Sequence, residues 1–199
     1  MRCGFPLGTG PAPECLECRE WPGVLERTRA AAVLESPATE LVHGLKYHGW
    51  RRTGEYMGAE IVRRVGQRLG PIDAVVPIPT SLSRQRRRGY NQAEVIARSV
   101  AAALARPLVS ALTRPRADRS QTTAGPTERL ANVKGAFRLE GDAHRRLEGR
   151  RVVLVDDVIT TGATLGAAAQ TLADADPASI LAVAFARRVP MAHIDTGPG

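Results

Sequence analysis

Two adjacent carboxylates, Asp156 and Asp157, stand between an apolar run and a turn of small hydroxyl residues in the stretch RVVLVDDVITTGATL, Arg151 to Leu165. Ionised carboxylates accept hydrogen bonds and donate none, so the pair suits the two hydroxyls of a ribose. Thr160, Thr161, Gly162, Ala163 and Thr164 follow and read as a phosphate cradle. Backbone N–H groups at such a turn and at the helix N-terminus behind it hold a dianion, and the helix dipole favours it. The threonines add hydroxyl donors, and Gly162 lets the backbone approach a ligand with no Cβ in the way. Two elements must position these groups. Val152 to Val155 has three valines and no polar break, which predicts a strand buried on both faces of a parallel sheet, with the acids emerging at its carboxyl end. Leu165 to Leu172 predicts the helix.

An apolar strand ending in Asp-Asp also occurs as the Mg-binding strand of P-loop NTPases. That chemistry needs a G-x-x-x-x-G-K-[ST] loop, and neither Lys46 nor Lys134 follows a glycine. No G-x-G-x-x-G is present for a dinucleotide either. A purely structural strand, turn and helix has no use for two adjacent acids and three threonines around one glycine. VVLVDDVITTGATL resembles the signature of type I phosphoribosyltransferases, which bind phosphoribosyl pyrophosphate (PRPP).

The remaining chain frames this site. A length of 199 residues supports one α/β domain with room for a small appendage, and 43% hydrophobic content is ordinary for a core. No apolar run approaches a membrane span and the N-terminus has no signal-peptide apolar region, so a soluble cytoplasmic protein is expected. The net charge of +8 suits an anionic ligand, while the preference for Arg over Lys makes it a weak pointer to nucleic acid. Cys3, Cys15 and Cys18 all lie in a Gly/Pro-rich leader, where a C-x-x-C knuckle with an upstream Cys reads as zinc rather than disulfide. Structural zinc wants four ligands. The expectation is a shortened zinc ribbon or a metal-free leader, residues 1–22, ahead of the main domain, residues 23–199. His43 and His48, five apart, do not share a helical face and read as partly exposed polar contacts.

A short strand is expected over Ala30 to Leu34, then a helix around Leu41 with Ser36 and Thr39 as candidate caps. Glu55 to Leu69 reads as an amphipathic helix through Met57, Ile61, Val65 and Leu69. Asp73 to Pro79 reads as a second parallel strand, forced into an irregular exit by Pro77 and Pro79. Arg84, Arg86, Arg87 and Arg88 then form a basic loop, an anion grip at a strand's carboxyl end, and Asn91 is placed to cap the helix Gln92 to Leu104. Thr113 to Gly135 is polar and Arg-rich, and reads as a mobile lid. Ala136 to Leu139 reads as a short strand, Asp142 to Arg150 as a charged surface connection, Ser179 to Ala186 as another apolar strand, and Met191 to Gly199 as a frayed tail.

The order of the C-x-x-C leader, ELVHGLKYHG, VVPIPTSLSRQRRRGYNQA, RSQTTAGPTERLANVKGAF and VVLVDDVITTGATL resembles the ComF family of phosphoribosyltransferase-like proteins, associated with DNA uptake in competent bacteria. The resemblance covers almost the whole chain. It implies a type I phosphoribosyltransferase fold, a parallel sheet flanked by helices, with an N-terminal zinc ribbon from which the fourth cysteine is missing here. By the resemblance Asp156 and Asp157 are the catalytic pair, binding the ribose hydroxyls, and Thr160 to Thr164 hold the 5′-phosphate. Pro79, Thr80 and Ser81, with Arg84 and Arg88, face the pyrophosphate, and Mg²⁺ bridges hydroxyls and pyrophosphate. Three functions follow: a PRPP-dependent transferase with an unidentified acceptor, a PRPP- or nucleotide-binding module without turnover, and a nucleic-acid accessory. The last would take single-stranded DNA or competence-machinery proteins as partners.

Overall fold

The computed structural model describes residues 2–4, 16–19, 21–115 and 135–189. In chain order its elements are α1 (Leu16–Arg19), β1 (Leu25–Val33), α2 (Ala38–Tyr47), α3 (Arg51–Val65), β2 (Ala74–Pro77), α4 (Leu82–Arg88) and α5 (Gln92–Leu104). There follow β3 (Leu112–Thr113), β4 (Arg138–Leu139), α6 (Ala143–Leu147), β5 (Arg151–Ile159), α7 (Ala163–Leu172) and β6 (Ser179–Arg187). Strands β1, β6, β5 and β2 form one parallel sheet in that order, and β3 pairs antiparallel with β4. A parallel bridge from Val75 to Leu108 extends the sheet beyond β2.

The valine run is what makes β5 central. Val152, Val153, Leu154 and Val155 have no exposed surface. Each such burial contributes about 1.5–3 kcal/mol. Alternation sends Val153 and Val155 towards Met57, Ile61, Ile96 and Val100 of α3 and α5. Val152 and Leu154 face the other way, towards Leu147, Leu165 and Leu172 of α6 and α7. Helices α3 and α5 pack so closely that a Cβ at Gly58 would stand 2.6 Å from the Ile96 carbonyl oxygen.

Several expectations are corrected. Strand β1 starts at Leu25, earlier than Ala30, because Glu26, Arg27 and Arg29 mask an edge strand that buries Leu25, Thr28 and Ala31. Helix α2 is capped at Pro37 without a side-chain hydrogen bond, so neither Ser36 nor Thr39 serves as a cap. Helix α3 begins at Arg51 and gives way at Val65 to a 3-10 turn over Gly66–Arg68. The arginine loop is a helix, α4, because the Ser81 hydroxyl accepts from Arg84 N–H (3.4 Å) and starts it. The segment after Asp142 is also helical, and buries Ala143 and Leu147 completely. Cys15, the tail and most of the expected lid (116–134) lie outside the described residues. No described helix is long and apolar enough to cross a membrane.

The described N-terminal residues pack into the same core as the sheet. Cys3, Cys18 and Trp21 are buried with Val152 and Leu154 in one cluster. Thr28 N–H donates to Arg2 O (2.8 Å), and the Thr28 hydroxyl to Cys3 O (2.9 Å).

Candidate functional site

Prolines open the cleft. Strand β2 pairs with β5 only as far as Pro77 and Val155, and Ile78 N–H to Val155 O (2.9 Å) is the last rung. Pro77 and Pro79 have no N–H to continue it. Strand β5 runs on to Ile159 paired with β6. The acids therefore sit within a strand whose other neighbour has peeled away, rather than beyond its end. Helix α7, after β5, packs on one face of the sheet and α5, after β2, on the other. Ligands of open α/β sheets bind where neighbouring strands diverge in this way. The crevice has a volume of about 580 Å³. Asp156, Asp157, Thr160 and Thr164 line one wall, and Pro79 and Thr80 line another.

The two acids have different surroundings. Asp157 is buried and its Oδ2 lies 2.8 Å from Lys46 Nζ of α2. Asp156 Oδ1 accepts from Asp157 N–H (2.8 Å). Burial pushes the Asp156 carboxyl up to about 8, the Asp157 charge adds to that, and the Asp157 N–H and Lys46 pull the other way. A raised acid beside an ion-paired one, in a cleft, is the pattern of a working site.

The turn after β5 is built against Trp21. Gly162 has φ +76°, which favours glycine, and a Cβ there would stand 2.2 Å from Trp21 Cζ2. The bare Gly162 Cα thus faces an indole rather than a ligand. Trp21 Nε1–H donates to Thr161 O (2.9 Å), and Ala163 N–H to Thr161 Oγ1 (3.4 Å). Thr160 and Thr164 face the cleft; Thr161, Gly162 and Ala163 are not among its lining residues.

Helical spacing sorts the arginines. Arg84 lines the cleft with Arg87 and Arg88 one turn further along α4, while Arg86 does not line it. Ser81, the cap of α4, does not line it either. Asn91 stands at the N-cap position of α5, but its side chain makes no capping hydrogen bond; its Nδ2 instead donates to Ile78 O (3.0 Å) and secures the exit of β2.

Comparison with known proteins identifies the lineage. Residues 58–196 match the model of the phosphoribosyl transferase domain. The DNA utilization protein YhgH of Escherichia coli (strain K12) is 33% identical over 182 residues, covering 86% of this chain and 76% of that one. The chain belongs to the ComF family of phosphoribosyltransferase-domain proteins. Competence protein F of Haemophilus influenzae is 37% identical over 111 residues, 55% of this chain and 48% of the relative. A purine phosphoribosyltransferase from Pyrococcus horikoshii Ot3 superposes with a TM-score of 0.42 at 16% identity, over 69% of this chain and 73% of that one.

In this ComF-family chain the cleft also holds residues that sequence reasoning missed. Lys46 is the foremost; its signal was a lysine kept on α2, one turn after buried Val42, in a chain that otherwise prefers Arg. His43 and Tyr47 join it, along with Arg114, whose guanidinium is pulled down first by burial and then by Arg84. Gln92 is buried in the cleft wall with no hydrogen-bond partner for Oε1 among the described residues. His43 and His48 do meet, with ring centroids 5.2 Å apart, because the chain leaves α2 at Tyr47 and folds His48 back. Among the described residues no group of three or more His, Cys, Asp or Glu side chains is arranged for a metal.

Proposed function

We propose that this cleft binds PRPP and supports displacement of its pyrophosphate by an acceptor. The observation that carries the reading is convergence: an acid pair, the two threonines that flank the turn, Thr160 and Thr164, and three arginines of α4 share one crevice. Asp156 and Asp157 hold the two ribose hydroxyls. Thr160 and Thr164, with the turn over Thr161–Ala163, take the 5′-phosphate. Pro79 and Thr80, with Arg84 and Arg88, face the pyrophosphate, where guanidinium forks match phosphate oxygens. In the reaction the acceptor's lone pair forms a bond to the anomeric carbon, and the bond from that carbon to the pyrophosphate oxygen breaks with its electrons leaving on pyrophosphate. The protein's part is positioning and charge stabilisation.

Mg²⁺ fits this donor set. Two adjacent carboxylates are hard oxygen ligands, and Mg²⁺ typically takes one or two of them with substrate oxygens and waters. When bound, the ion neutralises charge on the leaving pyrophosphate. Zn²⁺ on Cys3, Cys15 and Cys18 belongs to the same proposal and rests on the cysteine spacing alone.

The test is release of pyrophosphate from PRPP with Mg²⁺ present, against panels of nucleobase and amine acceptors. Acceptor-dependent release is expected, with a loss of about 10²–10³ in rate for Asp157→Asn, the scale seen for a single electrostatic group. Binding of PRPP with no release for any acceptor would contradict the transferase and leave a binding module.

A second reading has its own observation. Tyr47, Trp50 and Tyr56 are exposed, and Arg51 and Arg52 beside them are exposed as well. Tyr47, His43, His48 and Trp50 form a chain of ring contacts of 4.6, 5.2 and 5.6 Å leading away from the cleft. Aromatic platforms amid positive charge bind single-stranded nucleic acid. The names of the relatives, DNA utilization and competence proteins, point the same way.

A further inference from the structure

Trp21 lies far in sequence from the phosphate turn and is in direct contact with it. Its side chain is 5% exposed, its indole N–H is spent on Thr161 O, and its ring occupies the space a Cβ at Gly162 would need. The ring is itself held from behind. Arg187, at the end of β6, places its guanidinium carbon 5.9 Å from the ring centroid and donates to Cys3 O (2.7 Å). Arg2 donates to the carbonyls of Cys18 (3.0 Å) and Trp21 (3.2 Å). Pro22 continues the contact, since a Cβ at Gly166 on the first turns of α7 would stand 3.0 Å from its Cδ. Trp21 and Pro22 are thereby clasped onto the end of β5 and the start of α7.

We propose that Trp21 is the positioning residue of the phosphate turn, so that Trp21 forms part of the sugar-phosphate half of the site. The inference rests on the phosphoribosyl reading above. Its physical basis is direction. A turn binds a dianion through N–H groups that must converge, and a peptide unit whose carbonyl is anchored cannot rotate its neighbours away. Without the indole N–H, Thr161 O loses its partner, and the peptide between Thr161 and Gly162 gains freedom at a glycine with positive φ. The pyrophosphate half, across the cleft on α4, has no such dependence.

The two halves can be probed separately, with ribose 5-phosphate and with inorganic pyrophosphate, on the full chain. Trp21→Phe keeps most of the ring and removes the N–H. It is expected to weaken ribose 5-phosphate about fivefold, the worth of one hydrogen bond, and to leave pyrophosphate affinity within twofold. Equal loss for both ligands would show a general packing role and overturn the proposal, as would no loss for either. A second reading needs no variant. Trp21 and Trp50 give the wild type two indole N–H signals in ¹H–¹⁵N spectra, and the slowly exchanging one belongs to buried Trp21. That signal should shift with ribose 5-phosphate and stay put with pyrophosphate. A saturated site with an unmoved signal would overturn the proposal even if Trp21→Phe failed to fold. Failure of the wild type to bind ribose 5-phosphate at all would instead refute the phosphoribosyl reading, and this inference with it.

Discussion

Burial raises the Asp156 carboxyl to about 8, with Lys46 2.8 Å from Asp157, so Asp156 keeps its proton to a higher pH than a free carboxyl. The folded value lies above the ordinary 3.8, so the folded chain keeps a proton there that the unfolded chain has lost. Stability from this group is therefore present at acid pH and lost as pH rises through about 8. Ligand binding runs the other way, because the ionised carboxylate is the stronger acceptor for ribose hydroxyls and carries no competing donor. Affinity for ribose 5-phosphate is expected to rise from pH 6 to pH 8.5 by up to about tenfold per unit, the limit for one proton. Asp156→Asn should flatten the part of that slope not due to the ligand's own phosphate. A slope that is the same in both proteins, measured by calorimetry across pH, would remove Asp156 from the sugar site. The acids themselves were legible in the sequence, because an apolar run followed by Asp-Asp-Val-Ile-Thr-Thr-Gly has few other uses. The partner of Asp157 was not. A lysine on a different helix meets it through tertiary packing alone, and no local spacing encodes that approach.

Element boundaries show where local patterns suffice. Helix α5 spans Gln92–Leu104 as its apolar stripe predicts, and β5 and β6 are centred on their valine- and alanine-rich runs. Helix α4 was missed because its seven residues have no apolar stripe; a Ser cap and the chain's departure from the sheet make it. Its helicity gives the arginines unequal roles. Arg84→Ala and Arg88→Ala are each expected to weaken PRPP by more than about tenfold, the worth of a charged hydrogen bond, and Arg86→Ala by less than twofold. A nucleic-acid surface would sum charges instead. Equal small losses at all four positions, with the salt dependence of single-strand binding falling by about 0.7 per arginine, would favour that reading. Salt titrations of the four single variants separate the two.

At the scale of the whole molecule, a proline-terminated strand beside a longer one creates the opening, and the order of helices about β2 and β5 decides that it faces both α4 and α7. The sheet type was readable from apolar runs without alternation. The crevice was readable only as a location beyond strand ends, since the peeling of β2 from β5 depends on how two distant segments pair. The N-terminal leader was legible as a cysteine pattern but not as a neighbour of the turn after β5, because Trp21 and Gly162 are 141 positions apart and meet through tertiary packing alone. The central claim, that one cleft takes the whole of PRPP with Mg²⁺ through the acid pair, is tested most directly by calorimetric titration of PRPP into wild type and Asp157→Asn, with Mg²⁺ and with EDTA. The expected result is one site per chain that requires Mg²⁺ and is weakened about ten- to 150-fold by the substitution, matching about 1.5–3 kcal/mol for a hydrogen bond to a charged group. Equal affinity in the two proteins, or tight binding in EDTA, would contradict it.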